Sequence, residues 1–149
     1  MNLIEPMRGT FILMALLMIL CGSCNEKIYT GDVDCEECYT EEPENADLII
    51  ELTISNRYPR VPIVIYKGNV EDNQVIYVDT VDYSPVYAYV PVDRKYSVKA
   101  EYKKDDKTLY AVDGTKLSVK VVSNACEESC YVIDNEKLDA RLKKEFSDF

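Results

Sequence analysis

Tyr96-Ser97-Val98-Lys99-Ala100-Glu101-Tyr102-Lys103 alternates without a break, with Tyr96, Val98, Ala100 and Tyr102 on one face and Ser97, Lys99, Glu101 and Lys103 on the other. A period of two belongs to an extended strand whose successive side chains point to opposite faces. An apolar face backed by a charged one marks a sheet with one side on a core. The same pattern recurs on both sides of this stretch. Leu48, Ile50, Leu52 and Ile54 share a face of Asp47 to Ile54, and Val61, Ile63 and Ile65 share one of Val61 to Tyr66. Val75 to Val81 is rich in β-branched residues and Val86 to Val90 carries Tyr87 and Tyr89; Leu109 to Val112, Leu117 to Val122 and Cys130 to Ile133 complete the set. Turn chemistry separates these runs at Asn56 to Pro59, Lys67 to Asn73, Ser84-Pro85, Pro91 to Lys95, Lys104 to Lys107, Asp113-Gly114 and Asn124 to Ser129. No helix of crossover length intervenes, so a parallel α/β fold is excluded in favour of an all-β antiparallel sandwich of about seven strands over residues 47–134.

Val90-Pro91-Val92-Asp93-Arg94-Lys95-Tyr96-Ser97-Val98 resembles the turn and strand of transthyretin-like and carboxypeptidase-regulatory-like modules, with Asp93-Arg94-Lys95 where those turns usually hold Gly. The resemblance implies an immunoglobulin-like or transthyretin-like sandwich, a fold that hosts binding, spacing and adhesive roles alike. Tyr96 is expected to fill the core, with a corner hydrogen bond from its hydroxyl as the second reading. After the sandwich, Leu138, Leu142 and Phe146 recur at i, i+4 and i+8 among charged residues, which predicts a short amphipathic helix over 135–149.

At the other end, Phe11 to Leu20 is an unbroken apolar decamer. A helix of that length rises about 15 Å, half of the hydrocarbon thickness of a bilayer, so it reads as an export signal rather than a span. Cys21-Gly22-Ser23-Cys24-Asn25 follows, with Leu20 four residues before Cys24. This layout resembles a bacterial lipoprotein signal. The resemblance implies removal of residues 1–23, acyl chains on Cys24 and anchorage in the cell envelope, in the outer membrane by preference, and more than one chain makes such anchoring stable.

The chain carries 27 acidic and 17 basic side chains, a net charge of −10, and the imbalance is local. Residues 28–56 hold nine acids and no base, residues 57–149 hold 16 acids against 15 bases, and residues 1–27 balance. Residues 24–46 therefore read as an acidic, self-repelling tether between anchor and domain. The stretch has no Asp-x-Asp-x-Asp-Gly spacing followed by Glu, as an EF-hand calcium loop needs.

Four cysteines remain beyond Cys21 and Cys24, in two echoing clusters: Cys35-Glu36-Glu37-Cys38-Tyr39 and Cys126-Glu127-Glu128-Ser129-Cys130-Tyr131. An even number of thiols in an exported chain points to disulfides. Of the three connectivities, bonds that join one cluster to the other are preferred, with two local bonds as the alternative. A site of four thiolates for zinc is the main functional rival, and makes the second function class a small exported metal-binding or thiol-active protein using Cys35, Cys38, Cys126 and Cys130. A reactive Cys-x-x-Cys is disfavoured, because the surrounding Asp34, Glu36 and Glu37 oppose a thiolate.

The chain contains no His and no Trp. It thus lacks imidazole ligands, Ser-His and Cys-His pairs, and it also has no phosphate-binding Gly loop and no basic run for nucleic acid. Glu71-Asp72 and Asp105-Asp106 are read as solvated turns rather than an acid–base pair. Of the twelve tyrosines, several alternate with polar residues on strands and offer an exposed row for glycan or protein, with the rim of the core as the plainer reading. Asp79-Thr80-Val81 resembles O-glycosylation sites of some bacteria. The sum is a non-enzymatic, lipid-anchored module without cofactor, with the membrane and an unknown protein or glycan as partners.

Overall fold

The computed structural model describes residues 33–36, 38–123 and 126–143. The expected signal over residues 1–23 and the expected lipid site Cys24 lie outside the described residues. Eight strands run β1 (Asn45–Glu51), β2 (Val61–Lys67), β3 (Val75–Val81), β4 (Val86–Pro91), β5 (Arg94–Lys104), β6 (Lys107–Val122), β7 (Cys130–Asp134) and β8 (Lys137–Asp139). They form two sheets, a three-stranded one in the order β4-β1-β8 and a five-stranded one in the order β3-β2-β5-β6-β7. Every pairing is antiparallel except β1 with β8. This is an all-β sandwich.

The inward faces follow the sequence alternation. Leu48, Ile50 and Leu52 from β1 and its end meet Val61, Ile63 and Ile65 from β2 and Tyr96, Val98, Ala100 and Tyr102 from β5, all buried. Tyr96 is both a core residue and a corner bond: its hydroxyl donates to the Pro91 carbonyl at 2.7 Å, tying β5 to the turn that enters it. In that turn Asp93 takes the left-handed conformation, φ 55°, which Asp tolerates better than most residues other than Gly.

Two expectations are corrected. The first is the C-terminal helix: among the described residues 135–143 there is none. Lys137–Asp139 is instead strand β8, parallel to β1, and the chain continues alongside β1 with Ala140 N–H donating to Glu51 O at 3.0 Å and Leu142 N–H to Thr53 Oγ1 at 2.9 Å. A spacing of four is a multiple of the strand period as well as close to a helical turn. Leu138 and Leu142 therefore fit either, and the fully buried Ala140 between them shows which period holds. The second concerns Asp113-Gly114, which is not a turn. Both lie inside the 16-residue β6, opposite Val98 and Ser97 of β5. The Asp113 carboxylate accepts the Asp139 N–H at 2.7 Å and so links the large sheet to β8 of the small one.

One core hydroxyl has no use for its polarity. Tyr58 is buried and packs edge-on against Tyr102, ring centroids 5.3 Å apart, yet its Oη makes no hydrogen bond among the described residues. Tyr58→Phe is expected to raise stability by about 1 kcal/mol, because an unsatisfied buried hydroxyl costs about 1–3 kcal/mol and the ring contact is kept. A higher urea midpoint at unchanged slope is the check.

Candidate functional site

The four cysteines expected to crosslink do so between clusters. Cys35 bonds to Cys126 and Cys38 to Cys130, both with Cα atoms 5.7 Å apart, across sequence separations of 91 and 92 residues. The backbone prepares this: Tyr39 N–H donates to Tyr131 O at 2.9 Å and Tyr131 N–H to Tyr39 O at 2.8 Å, so the segment after Cys38 lies as a one-residue bridge on the free edge of β7. Glu44 O then accepts the Val92 N–H at 3.0 Å and the chain enters β1 at Asn45. The chain at Cys35 and Cys38 is thereby stapled to the β7 side of the domain, as bonds between the two clusters imply. Repulsion among its acids is overridden by two covalent bonds and the Tyr39–Tyr131 backbone bridge.

The sulfurs of Cys38, Cys126 and Cys130 lie within 4.8 Å of one another. Paired as disulfides, they supply neither a thiolate nucleophile nor a metal ligand. The carboxylates disperse as expected. Glu71 and Asp72 sit in a 3₁₀ turn, where Asp72 accepts the Asn69 N–H at 2.7 Å, and Asp105 and Asp106 form the tip of the β5–β6 hairpin. Asp139 is the best-anchored acid. The Arg141 guanidinium donates to both its oxygens, at 2.7 and 2.8 Å, and holds its carboxyl below the usual range, while Arg141 also reaches Glu51 at 2.9 Å. That is a structural ion network at the end of β8, not an acid–base couple.

The tyrosines divide. Tyr58, Tyr66, Tyr96 and Tyr102 are buried and Tyr131 is half-buried, whereas Tyr39, Tyr77, Tyr83, Tyr87, Tyr89 and Tyr110 are exposed. Three of the exposed set gather on the side of the sandwich opposite the disulfides. There a cleft of about 540 Å³ opens between β3 and β4, lined by Ile76, Tyr77, Tyr87, Tyr89 and the cations Lys67 and Arg94. The Tyr77 hydroxyl donates to Asp79 at 2.7 Å and Asp79 also accepts the Thr80 N–H at 2.7 Å. The carboxylate beside it holds the Tyr77 hydroxyl above its ordinary value, and the two donors, the phenol first, hold Asp79 below its own. The exposed tyrosines are the row that sequence alternation offers; what alternation does not give is that β3, exposed at every residue but Val81, lies at the outer edge of the larger sheet.

No protein-family model, curated protein or solved structure matches this chain. Among the described residues, no helix is long and apolar enough to cross a membrane.

Proposed function

We propose that the protein is an exported, lipid-anchored cell-envelope protein, held by acyl chains on Cys24 in the outer membrane, whose sandwich performs a non-enzymatic binding, adhesive or assembly role. One observation carries this reading. The segment leading from the anchor is fastened to the β7 side by Cys35–Cys126 and Cys38–Cys130, while the exposed tyrosines and apolar residues of β3 and β4 face away from that fastening. Such a layout suits a module presented from a surface, and persistent disulfides suit an oxidising compartment. The Tyr96–Pro91 corner bond and the turn before it support the finer reading of the sandwich as immunoglobulin-like or transthyretin-like.

The test is intact and peptide mass of the chain extracted from producing cells. The expected result is an N-terminal peptide that begins at Cys24 with acyl mass, processing blocked by globomycin, and the loss of two hydrogens for each disulfide. An unacylated N-terminus removes the anchor from the proposal. The proximity of the Cys38, Cys126 and Cys130 sulfurs supports the second reading, a metal-binding or thiol-active protein. Retained zinc with free thiols in the same spectrum favours it over the first.

A further inference from the structure

The five-stranded sheet is wider than the three-stranded sheet that covers it, and part of the surplus falls on β3. Val81 is buried where it meets Val61, but the six residues before it are exposed, among them Val75, Ile76, Tyr77 and the 66% exposed Val78. As the outermost strand, β3 also has a free backbone edge, along which the Thr80 N–H is held by its neighbour Asp79 at 2.7 Å. The other sheet edges carry more extensive devices that blunt pairing. β7 bears the Tyr39 bridge and the Cys38–Cys130 bond. β8 is three residues long, charged at Lys137 and Asp139, with the Asp139 N–H taken by Asp113. β4 runs between Pro85 and Pro91, which have no N–H to give. Val75-Ile76-Tyr77-Val78-Asp79-Thr80-Val81 has no Pro, Lys, Arg or Gly.

We propose that β3 is the interface of a two-fold homodimer, in which β3 of a second copy adds antiparallel to it and the large sheet runs on through both copies. The strand is complementary to itself. A register centred on Val78 sets Val78 opposite Val78, Ile76 opposite Thr80 and Tyr77 opposite Asp79. The one ionised group of the strand then meets the phenol that already donates to it within one chain, and the two Asp79 carboxylates fall on opposite sides of the dyad. Parallel in-register pairing stacks Asp79 on Asp79 instead, and like charges directly opposite are unfavourable. A two-fold contact uses the same edge of both copies and closes, so it buries the exposed strand without starting a fibre. Pairing through one seven-residue strand falls at the small end of specific interfaces, so the dimer is weak in dilute solution and strengthened where chains share a membrane. The proposal deepens the assembly role above, and rests on that reading for the local concentration that anchoring supplies.

Cysteine crosslinking of the full chain in the producing cell envelope tests it. Val78→Cys is expected to give, on mild oxidation, a disulfide-linked band of twice the chain mass, about tenfold stronger than Tyr87→Cys, because directly opposed residues in antiparallel strands lie within bonding distance. Ile76→Cys and Thr80→Cys are expected to crosslink when co-produced and not separately. Val78→Lys, at an exposed position that leaves the core intact, is expected to shift the detergent-extracted chain to monomer in sedimentation. The proposal is overturned by equal crosslinking at Val78 and Tyr87, by a Val78 adduct whose mass is that of another protein, or by a glycan on Thr80 that crowds the edge. Acyl mass at Cys24 is read from the same samples: crosslinking without acylation upholds the dimer and removes the anchor, and acylation without crosslinking does the reverse.

Discussion

Replacing all four domain cysteines by serine is expected to destabilise the sandwich by about 7 kcal/mol, against about 2.5 kcal/mol for removing either disulfide alone. The asymmetry comes from the overlap of two interleaved loops. Cys35–Cys126 and Cys38–Cys130 close almost the same loop, with separations of 91 and 92 residues. Whichever bond is left still removes the entropy of that long loop from the unfolded chain, worth about 4.6 kcal/mol in the chain-entropy model. The second bond then closes only a ring of roughly eight residues through the two short cysteine clusters, worth about 2.5 kcal/mol. The total for both exceeds the sum of the two single removals by about 2 kcal/mol, a coupling expected of neighbouring crosslinks and absent from independent ones. Against a typical domain stability of about 5–15 kcal/mol, loss of both leaves the fold marginal or lost. Urea unfolding of the Cys35→Ser/Cys126→Ser, Cys38→Ser/Cys130→Ser and fourfold variants checks it. Strict additivity shows that the bonds do not constrain one common loop. The edge of β7 should open at the same time, since the Cys38–Cys130 bond joins the residues immediately before Tyr39 and Tyr131 and so holds their bridge in place.

What could be read in advance was whatever one period settles. The strands from Leu48 to Leu52 and from Val61 to Ile65 bury alternate residues, as does Tyr96 to Tyr102 apart from Ser97, which is buried on the outer face with its hydroxyl donating to Gly68 O, and each was legible because one face is apolar and the other is not. The tail was misread because Leu138 and Leu142 satisfy two periods at once, and only the burial of a small residue, Ala140, separates them. Asp113-Gly114 carries turn chemistry, but within β6 the Asp113 carboxylate satisfies the local Gly114 N–H at 2.8 Å and the distant Asp139 N–H at 2.7 Å without any turn. The echoing cysteine clusters made bonds between them, and so a stapled acidic stretch, the preferred reading; what no local pattern encodes is which cysteine pairs with which across about 90 positions. The open side of the sandwich is the least legible feature. That β3 extends past the smaller sheet depends on the strand order of both sheets, and Val75 to Val81 would read the same in a covered position.

Tyr102→Ala is expected to cost about 5 kcal/mol and Tyr102→Phe about 2–3 kcal/mol, the larger value for lost ring packing and the smaller for stranded backbone groups. Tyr102 sits at the end of the alternating face of β5 where three segments converge. Its hydroxyl accepts the Thr53 N–H at 3.0 Å, just past β1, and donates to Ala140 O at 2.7 Å, just past β8. Burial pushes this phenol upward from its ordinary value, so it stays a neutral donor and acceptor throughout the working range. Phenylalanine keeps the ring and its contact with Tyr58 but strands a donor at Thr53 and an acceptor at Ala140, and buried groups left unpaired cost more than the bond itself contributed. The two tyrosines therefore make an internal control. They touch each other and both are buried, yet removing the same atom is stabilising at Tyr58, where the hydroxyl has no partner, and destabilising at Tyr102, where it has two. Hydrogen exchange adds a local readout, because Thr53 and the parallel segment around Ala140 should lose protection in Tyr102→Phe while the β2–β5 ladder keeps its own. If Tyr102→Phe unfolds at the wild-type urea midpoint, the hydroxyl is not what fastens the last described strand to the sandwich, and Leu138 and Ala140 must hold it by burial alone.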